Sequence, residues 1–307
     1  MIGGFEVTDL HAHIQPWRWH TQGARETMAA SSSSADSRLL STLQEDPRAL
    51  LALMDRWGVG RMALVNYVSP DVIGFPPEVN DWVAKYCAAD PKRLLGVGSV
   101  HARLAGSAGN AYRAVEGLVS SGIRMLKIHP AHQIVWPDAY RADSRGAHGH
   151  PPDDRPYGNA LQGIYEAAVD HDVPVMVHTG TSMFPGAYNA MTDPLILDTV
   201  AVDYPKLRLV AAHAGRPLWG AAAVFVARRH ANVMLDLSGI PPKRLLHHLP
   251  ELARIADKCL WGSDWPGPGV PAEAPRRNVE EFLAADLGLD GEAKRGILNG
   301  NSRKLLP

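Results

Sequence analysis

Short aliphatic and β-branched runs recur along nearly the whole chain, each followed by a stretch long enough for one amphipathic helix, and this alternation restricts the fold more than any other feature. The runs fall at 5–10, 61–67, 94–100, 124–128, 174–177, 207–212, 233–237 and 259–262. Apolar residues three and four apart predict helices over 47–57, 78–89, 108–121, 159–171, 193–203, 217–230, 242–256 and 273–285, with another over 291–298. Prolines at 47, 91, 174, 194, 205 and 217 mark the boundaries, because proline fixes φ and removes a backbone donor. A helix between successive strands returns the chain to the same end of the sheet, so the strands must be parallel. Repeated eight times, this predicts an α/β chain closed into a (β/α)8 TIM barrel, and 307 residues suit one such domain spanning 1–307.

Composition narrows the function. With 46% hydrophobic and 21% charged residues the chain reads as an ordinary globular protein. Lysine and arginine total 31 against 32 acidic residues, which leaves no electrostatic footprint for nucleic acid or an anionic membrane surface. No run approaches the ~18 apolar residues a membrane helix needs, and the first residues lack a basic-then-apolar leader pattern. Cys87 and Cys259 are too few for a disulfide framework, and no Cys-x-x-Cys pair is present. A cytoplasmic protein acting on a small molecule is the expectation.

Two segments exceed the simple repeat. Residues 14–46 follow the first strand and carry Trp17, Arg18, Trp19, His20 and the serine run Ser31–Ser34. Residues 130–157 follow the fourth strand and carry Trp136, Tyr140, Arg141, His148, His150 and Arg155. Both begin at carboxyl ends of strands, the face of a barrel where active sites sit, so they are expected to cover a substrate. The tryptophans at 17, 19, 136 and 265 are candidates for an aromatic-binding wall there.

Histidine is the informative residue type, with 14 present and several closing apolar runs. The first strand ends Asp9-Leu-His11-Ala-His13, and alternation along a strand turns the two imidazoles the same way. His178 closes the fifth run, His213 the sixth, and Asp264 follows the eighth. Burying these groups at one rim costs several kcal/mol unless something satisfies them, and a divalent metal would. Nitrogen and oxygen donors without sulfur suit one Zn2+ ion, with Mn2+, Fe2+ or Co2+ as alternatives. Such a metal lowers the pKa of bound water to about 7 and so supplies a nucleophile at neutral pH.

The set Asp-x-His-x-His, Lys127-Ile-His129-Pro, His178-Thr-Gly, His213-Ala-Gly and Trp261-Gly-Ser-Asp264-Trp-Pro resembles the amidohydrolase superfamily. Within it the chain is similar to the amidohydrolase-related branch that contains aminocarboxymuconate-semialdehyde decarboxylase, including a closing Asn299-Gly-Asn301-Ser-Arg303-Lys-Leu305. The resemblance implies that His11, His13, His178 and Asp264 bind one zinc ion, with Asp264 also the general base and His213 beside the reacting group. At the fourth strand, Lys127 either bridges two metals as a carbamate or holds a substrate carboxylate, and His129 is either a further ligand or a substrate contact. A single metal with His129 lining the pocket is the preferred reading. Arg216, in a His-Ala-Gly-Arg that departs from the branch's usual His-Gly-Gly, either grips a carboxylate or merely starts a helix. Hydrolysis of an ester, lactone or amide is the expected activity, and metal-dependent decarboxylation or carbon–carbon cleavage of an aromatic or unsaturated acid is the alternative. Members of the branch are often dimers, which leaves a homodimer as an open expectation.

Overall fold

The eight strands form in the expected order: β1 (Thr8–Ala12), β2 (Arg61–Val65), β3 (Leu94–Gly98), β4 (Met125–Ile128), β5 (Val175–His178), β6 (Leu209–Ala212), β7 (Val233–Asp236) and β8 (Cys259–Leu260). A computed structural model describes all residues except 32–36, 142–156, 269, 271 and 272, so Ser32–Ser34, His148, His150 and Arg155 lie outside the described residues. Each strand pairs in parallel with the next. The ring closes where Leu10 N–H donates to the Trp261 carbonyl at 2.9 Å and Asp264 N–H to the His11 carbonyl at 2.8 Å. The chain is therefore a TIM barrel, as the alternation requires.

Strand periodicity sorts the side chains. Ala63 and Val65 of β2, Leu95 and Val97 of β3 and Met176 of β5 fill the barrel, while Met62, Leu64, Leu94 and Val175 turn outward against the helices. Leu305 and Leu306 join the inner cluster, and Arg61 at the start of β2 donates to the Leu306 carbonyl, so the closing segment plugs the amino-terminal end. The opposite rim is left for chemistry. Lys127 and His129 continue the inward face of Met125, His178 that of Met176, and Asp264 that of Leu260.

Several boundaries differ from the sequence reading for local reasons. β1 starts at Thr8 rather than 5, because Gly3 and Gly4, both at positive φ, turn the chain so that Ile2 bridges Phe5. The helix expected over 242–256 is three short turns, Pro242–Arg244, Leu245–His248 and Leu252–Lys258, since Pro250 cannot continue a helix. The segment 14–46 carries helices Gln22–Ser31 and Ser37–Glu45, whose polar composition hid them. The helix Pro47–Trp57 begins as expected, with the Asp46 side chain accepting from Arg48 N–H at 2.9 Å. Among the described residues no helix is long and apolar enough to cross a membrane.

Candidate metal centre

One wall of the rim comes from β1, β7 and β8, and its hydrogen bonds assign the imidazole protons. His11 is fully buried, with Nδ1 2.6 Å from Asp236 Oδ2. His13 Nδ1 lies 3.0 Å from the Val65 carbonyl oxygen. Each Nδ1 therefore carries the proton and donates, which leaves each Nε2 with a lone pair. Those two Nε2 atoms face each other at 3.2 Å, and Asp264 Oδ1 lies 3.7 Å from the first and 3.3 Å from the second. Two lone pairs and a carboxylate converging this closely repel unless a cation sits between them, so the donor set fits a divalent metal. Burial pushes the His11 pKa down to about 4 and holds His178 and His213 well below the usual imidazole range, so these rings are neutral, the form that binds metal.

Behind the donors the wall is interlocked. Burial alone would raise the Asp236 carboxyl, but contact with His11 carries it down to about 2. Ser238 Oγ donates to Asp236 Oδ2 at 2.6 Å, and the Ser238 carbonyl lies 3.1 Å from His213 Nδ1. Asp9 Oδ1 accepts from the N–H groups of His11 at 3.2 Å and Ser263 at 2.9 Å, tying β1 to the end of β8. Gly262 makes this approach possible, because a Cβ there would stand 2.7 Å from Asp236 Oδ1 and 2.8 Å from His11 Cβ. His213 and Asp264 both hold left-handed backbone, at φ 65° and 60°. That conformation costs a non-glycine residue about 1–3 kcal/mol and persists only where its surroundings enforce it, a pattern concentrated at active sites.

The facing wall, from β4 and β5, is the reverse. Lys127 Nζ, His129 Nδ1 and His178 Nε2 are buried and have no hydrogen-bond partner among the described residues. The His129 ring is stacked between His132, at 3.5 Å, and His178, at 3.9 Å. Burial lowers the Lys127 pKa to about 8 despite the charges of Asp236 and Asp264. Arg216 spans toward the first wall, where Nη2 donates to Asp264 Oδ2 at 3.2 Å, and its guanidinium packs over Gly239, whose missing Cβ leaves it room.

The structure brings His11, His13, Trp17, Lys127, His129, His178, His213, Arg216 and Asp264 to one cavity. Donor atoms of His11, His13 and Asp264 all fall within 4.8 Å of one another. His178 stands outside that tightest group, its ring 4.7 Å from that of His213. The aromatic wall is smaller than expected. Trp265 packs edge-on against Trp57 at 4.9 Å, Trp19 joins a cluster with Tyr67 and Phe75, and neither these two nor Trp136 lines the cavity. Trp17, Tyr67 and Phe184 do.

Sequence reading missed Asp236, Ser238, Tyr67 and His132. Tyr67 ends its run just as the histidines do, and Asp236 is a lone carboxylate inside the seventh run, so polarity within or at the end of an apolar run was an available signal. His132 had none, because it sits on the four-residue helix Pro130–Gln133 inside a long connection.

The amidohydrolase family model matches residues 8–307. The chain belongs to the amidohydrolase family. It is thus a metal-dependent enzyme of the superfamily whose motifs its strand ends resemble. No curated protein sequence matches it. Among solved structures it is similar to an uncharacterised TIM-barrel protein from Bordetella bronchiseptica, at 22% identity and TM-score 0.70 over 98% of both chains. The 5-carboxyvanillate decarboxylase of Sphingomonas paucimobilis superposes at TM-score 0.62 with 16% identity over 99% of both chains. A zinc-bound amidohydrolase from Burkholderia multivorans does so at 0.61 with 15% identity, covering 98% of this chain and 100% of that one. These likenesses establish the barrel fold.

Proposed function

We propose that this amidohydrolase is a hydrolase of a small ester, lactone or amide bearing a carboxylate or an aromatic group. The observation that carries the reading is the pair of opposed Nε2 lone pairs of His11 and His13 beside Asp264, a site for which a cation is the natural occupant. His11, His13, His178 and Asp264 would hold one ion. Zinc is the first choice for nitrogen and carboxylate donors, with manganese, iron and cobalt as alternatives. When bound, such an ion supplies Lewis acidity toward a carbonyl and acidifies water. Asp264 accepts the proton of the attacking water, and Arg216, already on Asp264 Oδ2, keeps that carboxylate in its charged, accepting form. His213, fixed by the Ser238 carbonyl through Nδ1, presents Nε2 to the reacting group. Lys127 and His129, whose Nζ and Nδ1 lack hydrogen-bond partners among the described residues, contact the substrate, and Trp17 packs against its apolar part.

The second reading is decarboxylation or carbon–carbon cleavage of an aromatic or unsaturated acid. Among the described residues, Lys127 and Arg216 are the lysine and arginine lining the cavity, and they suit a substrate carboxylate. The superposable 5-carboxyvanillate decarboxylase acts on such an acid. The cysteines Cys87 and Cys259 are both free and buried, which agrees with a reducing, cytoplasmic setting. A homodimer is the proposed assembly, to be checked by the mass of the protein in solution.

Metal analysis of protein purified without chelators should give about one ion per chain. Absence of metal, with no uptake on addition, would reject both reactions. Assay against a panel of lactones and amides, beside release of carbon dioxide from aromatic carboxylic acids, separates them.

A further inference from the structure

Tyr67 and His132 line the cavity opposite the metal donors, and the two hydrogen bonds of the His132 ring couple the Tyr67 proton to that of Ser182. His132 is buried, and each of its ring nitrogens faces a hydroxyl: Tyr67 Oη lies 2.9 Å from Nδ1, and Ser182 Oγ 2.7 Å from Nε2. Burial takes the His132 pKa down to about 3, so the ring is neutral. A neutral imidazole offers one N–H and one lone pair. One hydroxyl must then donate to the ring while the other accepts from it and keeps its own proton for a different partner.

Ser182 Oγ already accepts from the backbone N–H of Phe184 at 3.3 Å. In the arrangement where Ser182 also donates to His132 Nε2, the serine makes one bond of each kind and His132 Nδ1–H donates to Tyr67. The phenolic proton is then left with no acceptor among the described residues, and Tyr67 borders the cavity. A buried hydroxyl does not stay unpaired without cost. We propose that Tyr67 donates a hydrogen bond to an oxygen of the bound substrate, a carboxylate or carbonyl, with His132 and Ser182 as positioning residues that turn its proton into the cavity. The ring also packs against His129 at 4.9 Å and, edge-on, against Phe75 at 6.5 Å. Burial holds the phenol well above its usual pKa, so it remains a neutral donor. The inference rests on the cavity being the substrate site, whichever reaction occurs there.

The test is calorimetric titration of the metal-loaded full chain with benzoate. Tyr67→Phe should weaken binding roughly tenfold or more, the scale of one hydrogen bond to a charged group, with metal content unchanged. Ser182→Ala should also weaken it, because His132 Nε2 loses its donor and Tyr67 turns its proton to Nδ1. The double variant should bind no worse than Tyr67→Phe alone, since both changes remove the same bond. Equal affinity of wild type and Tyr67→Phe, no benzoate binding by wild type, or additive losses would overturn the proposal. Should Tyr67→Phe fail to fold, unchanged affinity in Ser182→Ala would overturn it instead. A benzoate difference that persists when neither lactones nor aromatic acids are turned over would reject the reaction and leave the donor standing.

Discussion

The two walls of the cavity are built from the same residue types and treat them in opposite ways. On the first wall His11 and His13 of β1, with His213 at the end of β6, each have one ring nitrogen committed to a carboxylate or a carbonyl, so tautomer and orientation are fixed before any ligand arrives. On the β4–β5 wall Lys127, His129 and His178 are also buried, yet Nζ, Nδ1 and Nε2 respectively lack hydrogen-bond partners among the described residues. The first wall resembles the outer shell of a metal site, whose hydrogen bonds orient ligands and raise their basicity. The second has its desolvation cost left to be offset by what binds. A folded enzyme can thus keep one half of its site rigid and hold the other half as unmet hydrogen-bonding capacity for ion and substrate.

The largest effect should come from removing the group both walls face. Asp264→Asn is expected to lower turnover by about 10²–10⁴, the usual scale of a lost general base, with the fold intact by circular dichroism. A variant with wild-type kcat would remove Asp264 from the chemistry. His11→Ala should lose stoichiometric metal along with activity, as read by elemental analysis, whereas retained metal would mean that the ligands are others.

The next test leaves all proposed ligands in place. Asp236→Asn weakens the acceptor that fixes His11 Nδ1 and should reduce metal affinity about 10–100-fold in a chelator competition. An unchanged affinity would mean that the interlocked wall does not organise the site. Gly262→Ala drives a methyl into Asp236, His11 and Ser238 and should destabilise the protein by about 1–3 kcal/mol in denaturant unfolding.

The smallest effect distinguishes the walls most directly. In metal-free protein Lys127→Met should unfold at the same or slightly higher denaturant concentration than wild type, because it deletes a buried cation with no hydrogen-bond partner among the described residues. The folded-state pKa, about 8, lies below the ordinary value of 10.5. Between those values the unfolded chain holds the proton and the native chain does not, so wild-type stability gains with rising pH. The advantage of Lys127→Met should therefore be full below about pH 8 and shrink above it. A variant clearly less stable than wild type at neutral pH would show that Lys127 has a partner after all.

How much was legible from sequence varies by residue. His178 and Asp264 could be read because each closes an apolar run that must be a strand, and a strand end in a barrel has only one rim to reach. His11 and His13 followed from their spacing of two. The strands, their parallel order and the barrel were determined the same way, by a periodicity local to each segment. Tertiary structure alone decided which nitrogen of each imidazole is free, because that depends on Asp236, Val65 and Ser238, acceptors brought from other strands. It likewise separated Trp17, on the cavity, from Trp265, in the core against Trp57, though sequence gave the two equal standing. It alone set His132 between two hydroxyls contributed by residues 65 and 50 positions away along the chain. Periodicity is written along the backbone, whereas hydrogen-bond partnership depends on the distance between atoms that only closure of the barrel brings together.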